Sequence, residues 1–162
     1  MIKMPDIELF VGNIDDLSRI SKNEWAIVHA TQTIHYQIFG WNRTTNKPNK
    51  NHPNYIFYEK DNRLSLNWVD GASYLYKCSG VETFIKTLDF IEKWLQKGQV
   101  LVHCDQGFSR SPSLCLLFLA KRNESISNKS YQAARNEFIQ IFPQYSPSGI
   151  GDYINENWNA IL

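Results

Sequence analysis

Short runs of β-branched and aromatic residues alternate along the chain with longer stretches of helical periodicity. Candidate strands are Ile7 to Val11 (IELFV), Trp25 to His29 (WAIVH), Tyr55 to Tyr58 (YIFY), Leu64 to Trp68 (LSLNW) and Val100 to His103 (VLVH). Before the last of these, Val81, Phe84, Ile85, Leu88, Ile91 and Leu95 fall close to one helix face, with Ser79 and Glu82 spaced as a capping box and Gly98 after the final turn. Pro112 to Arg122 differs, being apolar all round from Leu114 to Ala120 and polar only at its end, which predicts a buried helix. Two amphipathic helices follow: one carries Tyr131, Ala134, Phe138 and Ile141 before Pro143, the other Ile150, Tyr153, Ile154, Trp158 and Ile161. This order predicts an α/β fold that finishes in a helical layer.

The stretch Trp41 to Asn54, WNRTTNKPNKNHPN, resists packing. Its two prolines and five asparagines predict a loop. It is either a solvated connection or an edge that faces substrate through Arg43, Lys47, Lys50 or His52.

At 162 residues and 43% hydrophobic, the chain has the size of one ordinary domain, expected to span 1–162. The net charge of +1, with 17 Lys and Arg spread along the chain, gives no reason to expect nucleic acid as a partner. No apolar run approaches the length of a membrane span, and MIKMPDIELFVGN does not read as a leader, so no membrane association is expected. Cys78, Cys104 and Cys115 are odd in number and lack metal-like spacing, which fits a reducing, cytoplasmic setting with a thiol free for chemistry. Oligomeric state is not legible.

That thiol stands in VLVHCDQGFSRSPS. A strand ending at His103 and a helix starting near Ser111 leave Cys104 to Arg110 as a tight loop, with Gly107 free to take a backbone conformation closed to other residues. Unpaired N–H groups at a helix start make such a loop an anion cradle. Thiols facing amides and a guanidinium ionise more readily than free cysteine, so Cys104 is the candidate nucleophile. Arg110 can grip two oxygens of a phosphoryl group, held by the loop from Asp105 through Gln106, Gly107, Phe108 and Ser109. The Ser111 hydroxyl is placed to donate to the departing thiolate. His103 is expected to orient the cysteine, since a thiolate already formed needs no base. Joint metal ligation by His103 and Cys104 is disfavoured because neighbours on an extended chain point apart, and the G-x-x-x-x-G-K-S/T pattern of nucleotide loops is absent. No metal or organic cofactor is expected.

HCDQGFSRS matches H-C-x-x-x-x-x-R-S/T and resembles the signature of cysteine-dependent protein tyrosine phosphatases, in a form similar to their dual-specificity branch. The resemblance runs from IELFVGN to the final helices. It implies a central, mostly parallel sheet flanked by helices, with the cysteine loop at the carboxyl end of the strands. It also implies a general acid, an aspartate on an upstream loop, and Asp70 in LNWVDGAS fits that place. Asp61 reads as a hairpin-turn residue, and Asp105 would repel substrate if its carboxylate pointed inward.

The chain also departs from that pattern. In YSPSGIG, Ser146 and Ser148 stand where the family's buttressing segment has asparagine, and the loop 41–54 has no counterpart that can be matched. The tyrosine-recognition motif of the larger tyrosine-specific enzymes is not found, so a shallow pocket for aryl and alkyl phosphates is expected, with Phe108 either as its wall or as packing on the neighbouring helix. The expected activity is a protein tyrosine or dual-specificity phosphatase working through a cysteinyl-phosphate on phosphorylated protein. The rivals are a phosphatase for RNA 5′ ends, nucleotides or lipids, and a phosphate-binding module with little turnover. Cys78 or Cys115 could form a reversible disulfide with oxidised Cys104.

Overall fold

The computed structural model describes residues 1–162. Six strands form one sheet: β1 Ile2–Lys3, β2 Leu9–Gly12, β3 Ala26–His29, β4 Phe57–Lys60, β5 Arg63–Leu66 and β6 Val100–His103, in the order β1-β2-β6-β3-β5-β4. β2, β6, β3 and β5 run parallel, while β1 and β4 are antiparallel edges. The helices are α1 Gln32–Phe39, α2 Gly80–Leu95, α3 Arg110–Lys121, α4 Tyr131–Ile141 and α5 Gly149–Glu156. The expected α/β architecture, with a mostly parallel sheet flanked by helices and the cysteine loop between β6 and a buried helix, is what forms.

Alternation along each strand divides the side chains between two faces. Val100, Val102, Val28 and Leu64 join a core of 35 buried residues that includes Leu88 of α2 and Leu114 to Ala120 of α3. Leu101 and Ile27 are buried outside that cluster, so they mark the opposite face. His103 and His29 share their parity. The α3 run is buried on every side, as its uniform apolarity predicts.

Several boundaries differ from the expected ones. β2 begins at Leu9, two residues after Ile7; β3 omits Trp25, which packs edge-on against Phe10 at 4.9 Å. β4 begins at Phe57 because Tyr55 closes a turn on His52 O, and β5 stops at Leu66 because Trp68 N–H turns back to Leu66 O. The expected capping box at Ser79 does not form. Its hydroxyl accepts from Trp68 Nε1 at 3.2 Å and donates to Tyr76 O at 3.0 Å, so it is engaged elsewhere, and the chain enters α2 through Gly80 at φ +72°. α3 starts two residues before Pro112, and α5 ends before Trp158 and Ile161, which remain buried in the turn beyond. Asp61, at φ +54°, turns the β4–β5 hairpin as expected.

Candidate active site

Gly12, His103, His29 and Ser65 lie in one row at the carboxyl end of the parallel strands. One residue further, the chain leaves β6 as the loop Cys104–Ser109 and enters α3 at Arg110. Gly107 sits at φ +86°, where an added Cβ would come within 3.0 Å of Gly12 O. Only glycine lets the loop close this tightly on the end of β2.

Cys104 is 2% exposed and sits at the centre of the loop. Its sulfur receives the Gly107 N–H at 3.3 Å and the Ser111 N–H at 3.5 Å, with Ser111 Oγ at 3.2 Å. The Ser111 hydroxyl also lies 3.0 Å from Gly12 O. One hydroxyl proton therefore has two acceptors, a carbonyl and the sulfur.

Arg110 is buried beside the cysteine. Its Nη1 donates to Trp68 O at 2.8 Å and its Nη2 lies 3.6 Å from Asp105 Oδ2. Its buried Nε–H has no acceptor within the protein, a need that an oxyanion in the cleft would meet. Asp105 does not confront substrate with a free carboxylate: Oδ1 accepts from Thr31 Oγ1 at 2.6 Å and Oδ2 from Thr33 Oγ1 at 3.3 Å. Thr31 is also the N-cap of α1, so one residue starts that helix and holds the cysteine loop. These threonines were not among the expected site residues, because their link to Asp105 spans more than seventy positions.

His103 supports the loop from the opposite face of the sheet. Its Nδ1 lies 3.3 Å from Cys104 O and its Nε2 2.6 Å from His29 Nδ1. Only one tautomer chain satisfies both contacts: His103 Nδ1–H donates to the carbonyl, and His29 Nδ1–H donates to His103 Nε2. Burial is the main cause that lowers both imidazoles, to about 4 for His103 and about 2 for His29. Both are neutral at physiological pH, and His103 has no ring nitrogen left for proton transfer.

Asp70 lies on the same cleft, of about 480 Å³, as Cys104, Gln106, Phe108, Ser109 and Arg110. Its Oδ1 accepts from Ser148 Oγ. Ser148 N–H in turn donates to Ser109 Oγ at 3.1 Å, and the two serine hydroxyls lie 3.2 Å apart. Ser148 thus links Asp70 to the cysteine loop, at a position where the resemblance has asparagine. Ser146 contributes its backbone N–H to Phe108 O at 2.9 Å. Tyr76 OH donates to Val69 O at 3.0 Å from beneath, and its own burial pushes that phenol up, which keeps it a neutral donor.

Phe108 is 47% exposed and lines the cleft. From the 41–54 loop, Arg43 lines the cleft while His52 packs against Phe39 and Trp41 and is structural. No group of three or more His, Cys, Asp and Glu side chains has the geometry to hold a metal. Cys115 is enclosed in α3, where burial pushes its thiol up, and Cys78 is exposed. No helix is long and apolar enough to cross a membrane.

The fold is that of the cysteine-dependent phosphatases. The phosphatase domain of Yvh1 from Chaetomium thermophilum superposes with a TM-score of 0.63 at 21% identity, covering 98% of this chain and 95% of that one. A human tyrosine phosphatase-like serine/threonine/tyrosine-interacting protein superposes at 0.61 and 20% identity, over 95% and 92%. The family of the dual specificity phosphatase catalytic domain matches residues 21–146, and the chain belongs to it. Dual specificity protein phosphatase 5 of Homo sapiens is 31% identical over 67 residues, which are 41% of this chain and 17% of that one. Dual specificity protein phosphatase 4 of Gallus gallus is 30% identical over 86 residues, 47% and 23% respectively. The matched segments thus span less than a quarter of these curated relatives.

Proposed function

We propose that the protein is a cysteine-dependent phosphatase of tyrosine or dual specificity, acting on phosphorylated protein in the cytoplasm without metal or organic cofactor. The observation that carries this reading is the convergence on one cleft of Cys104, ringed by donors, the buried guanidinium of Arg110, and Asp70. Cys104 Sγ attacks phosphorus as the bond to the leaving oxygen breaks, and Asp70 gives that oxygen a proton. Asp70 Oδ1 is taken by Ser148, which leaves Oδ2 to carry it. Water, losing a proton to the same carboxylate, then displaces the sulfur from the cysteinyl-phosphate. The Ser111 hydroxyl turns from Gly12 O towards the departing thiolate. Arg110 and the loop amides hold the equatorial oxygens through both steps.

The fold alone does not separate catalysis from binding, since one of its structural relatives is named an interacting protein. The thiol favours catalysis, since binding needs no nucleophile. The cleft's charged lining is two arginines and two aspartates, a balance that disfavours polyphosphorylated nucleotides or lipids. The deciding experiment is metal-free hydrolysis of a small aryl phosphate between pH 5 and 8. Turnover lost in Cys104→Ser and reduced in Asp70→Asn is the expected result. Well-folded unaltered protein that binds phosphopeptide and turns nothing over would establish the binding module instead.

A further inference from the structure

The β4–β5 hairpin sets two like charges against each other. Lys60 and Arg63 are direct partners across it, so their side chains leave the same face of the sheet, a pairing that costs stability unless something offsets it. Nothing in the protein does, since neither takes part in a salt bridge. One residue away the contrast is plain: Glu59, on the other face of β4, lies 2.9 Å from Lys86 Nζ.

A third cation is tied to the same turn. Asn62 Nδ2 donates to Lys22 O at 2.8 Å and to Trp25 O at 2.7 Å, and Asn62 O accepts the Ile27 N–H at 2.9 Å. The Lys22 backbone is thereby fixed beside the turn that joins Lys60 to Arg63. All three cations line one cavity of about 430 Å³, whose lining also includes Tyr58, Ser65 and Ile38 of α1. Lys22 has no acidic partner either, and Asp61, the one acid in the lining, pairs with none of the three. This cavity shares no residue with the cysteine-loop cleft.

We propose that it is a second anion site, which takes a phosphoryl group from a ligand other than the ester in the cleft. Three cations against one carboxylate leave an excess that a phosphoryl dianion matches and a single carboxylate does not. The donors suit it as well: Arg63 offers a planar fork, Lys22 and Lys60 offer ammonium groups on flexible stems, and Tyr58 offers a hydroxyl. Occupation would also relieve the repulsion between Lys60 and Arg63, which a neutral ligand cannot do. The site goes beyond the phosphatase reading and needs no turnover to operate.

The test follows amide NMR shifts in Cys104→Ser protein, so that no probe is hydrolysed. Inorganic phosphate at constant ionic strength is expected to move two sets of amides with two separate affinities: Asp105 to Ser111 for the cleft, and Lys22, Asn23 and Lys60 to Arg63 for the second site. Adding Arg110→Ala should remove the first curve and spare the second. Lys60→Ser or Arg63→Ser should weaken the second roughly three- to tenfold, and Lys60→Glu, which gives Arg63 a partner of its own, should abolish it, each with the cleft curve unchanged. Second-site shifts that do not saturate, that chloride reproduces at equal ionic strength, or that survive Lys60→Glu overturn the proposal. A phosphoserine peptide that binds there about tenfold tighter than inorganic phosphate assigns the site to a phosphorylated protein segment, and equal affinity assigns it to free phosphate. No arm reads turnover, so failure here leaves the phosphatase reading standing, and failure of that reading leaves this site standing.

Discussion

Ser148 joins Asp70 to the loop that holds Cys104. Its hydroxyl donates to Asp70 Oδ1, and its own backbone N–H is accepted by Ser109 Oγ at 3.1 Å. With its single proton committed to the aspartate, Ser148 Oγ can only accept from Ser109, 3.2 Å away, so the two serines bond reciprocally. The Asp70 carboxylate, the proposed proton donor, and the cysteine loop are thereby placed relative to one another by a residue that need touch neither substrate nor sulfur.

Ser148→Ala is accordingly expected to act through Asp70. Loss of the hydroxyl frees the carboxylate and lowers kcat for an alkyl phosphate roughly tenfold, in line with the share of a general acid that is misplaced and not removed. An aryl phosphate with a good leaving group needs less protonation and should lose much less. Steady-state kinetics on the two ester types checks this; equal losses on both would show that Ser148 supports the loop only.

Ser111 faces a different step. Its hydroxyl is shared between Gly12 O at 3.0 Å and Cys104 Sγ at 3.2 Å, so it can swing its proton to the sulfur when the cysteinyl-phosphate breaks down. Ser111→Ala should slow that breakdown by roughly ten- to a hundredfold while sparing phosphoryl transfer to sulfur. Rapid-mixing measurements with a chromogenic ester should then show a burst of leaving group equal to the enzyme concentration. A slowed burst phase instead would move the role of Ser111 to the first step.

How much of this was legible in the sequence follows from how local each feature is. HCDQGFSRS announces its chemistry because nucleophile, glycine, guanidinium and hydroxyl are set by a strand, a turn and a helix start within nine residues. Asp70 was singled out by the resemblance, which calls for an upstream aspartate, and by its place ahead of the Ser79 helix. α1 was missed because QTIHYQIF carries no apolar stripe: its buried residue is His35, satisfied by Ser65 Oγ at 2.8 Å and Asn54 O at 2.8 Å, a polar anchor that periodicity cannot reveal. The capping box at Ser79 was local in sequence yet overridden by the distant Trp68. Thr31 with Asp105, and His29 with His103, are pairs made by neighbouring parallel strands, and no spacing along one chain predicts them.

Gly149 is held by close approach and not by backbone conformation. Its N–H donates to Gly71 O at 2.9 Å, and an added Cβ would stand 2.2 to 2.3 Å from Ser73 N, Ala72 C and Gly71 O, all backbone atoms. Gly149→Ala must therefore move the start of α5 away from the segment following Asp70. The expected cost is about 1–3 kcal/mol in denaturant unfolding, together with a fall in kcat on alkyl phosphates that parallels Ser148→Ala. A variant of unchanged stability and activity would mean that this contact is looser than its geometry requires.

The buried histidine pair gives the fold an acid limit. Burial holds His103 at about 4 and His29 at about 2, against about 6.5 in the unfolded chain. Between those values the unfolded chain binds protons that the folded one refuses, so this contribution is fully present above pH 6.5 and is lost as pH falls towards 4. From pH 7 to 5 the two imidazoles together should remove about 4 kcal/mol of stability. His29→Gln keeps an N–H that can donate to His103 Nε2 and abolishes one titration, so its loss over the same interval should be roughly half that of the unaltered protein. Denaturant midpoints at pH 7, 6 and 5 measure both slopes. Parallel slopes in the two proteins would show that His29 accepts its proton in the folded state, and that a shared proton on the pair, not a neutral hydrogen bond, joins β3 to β6 beneath the cysteine loop.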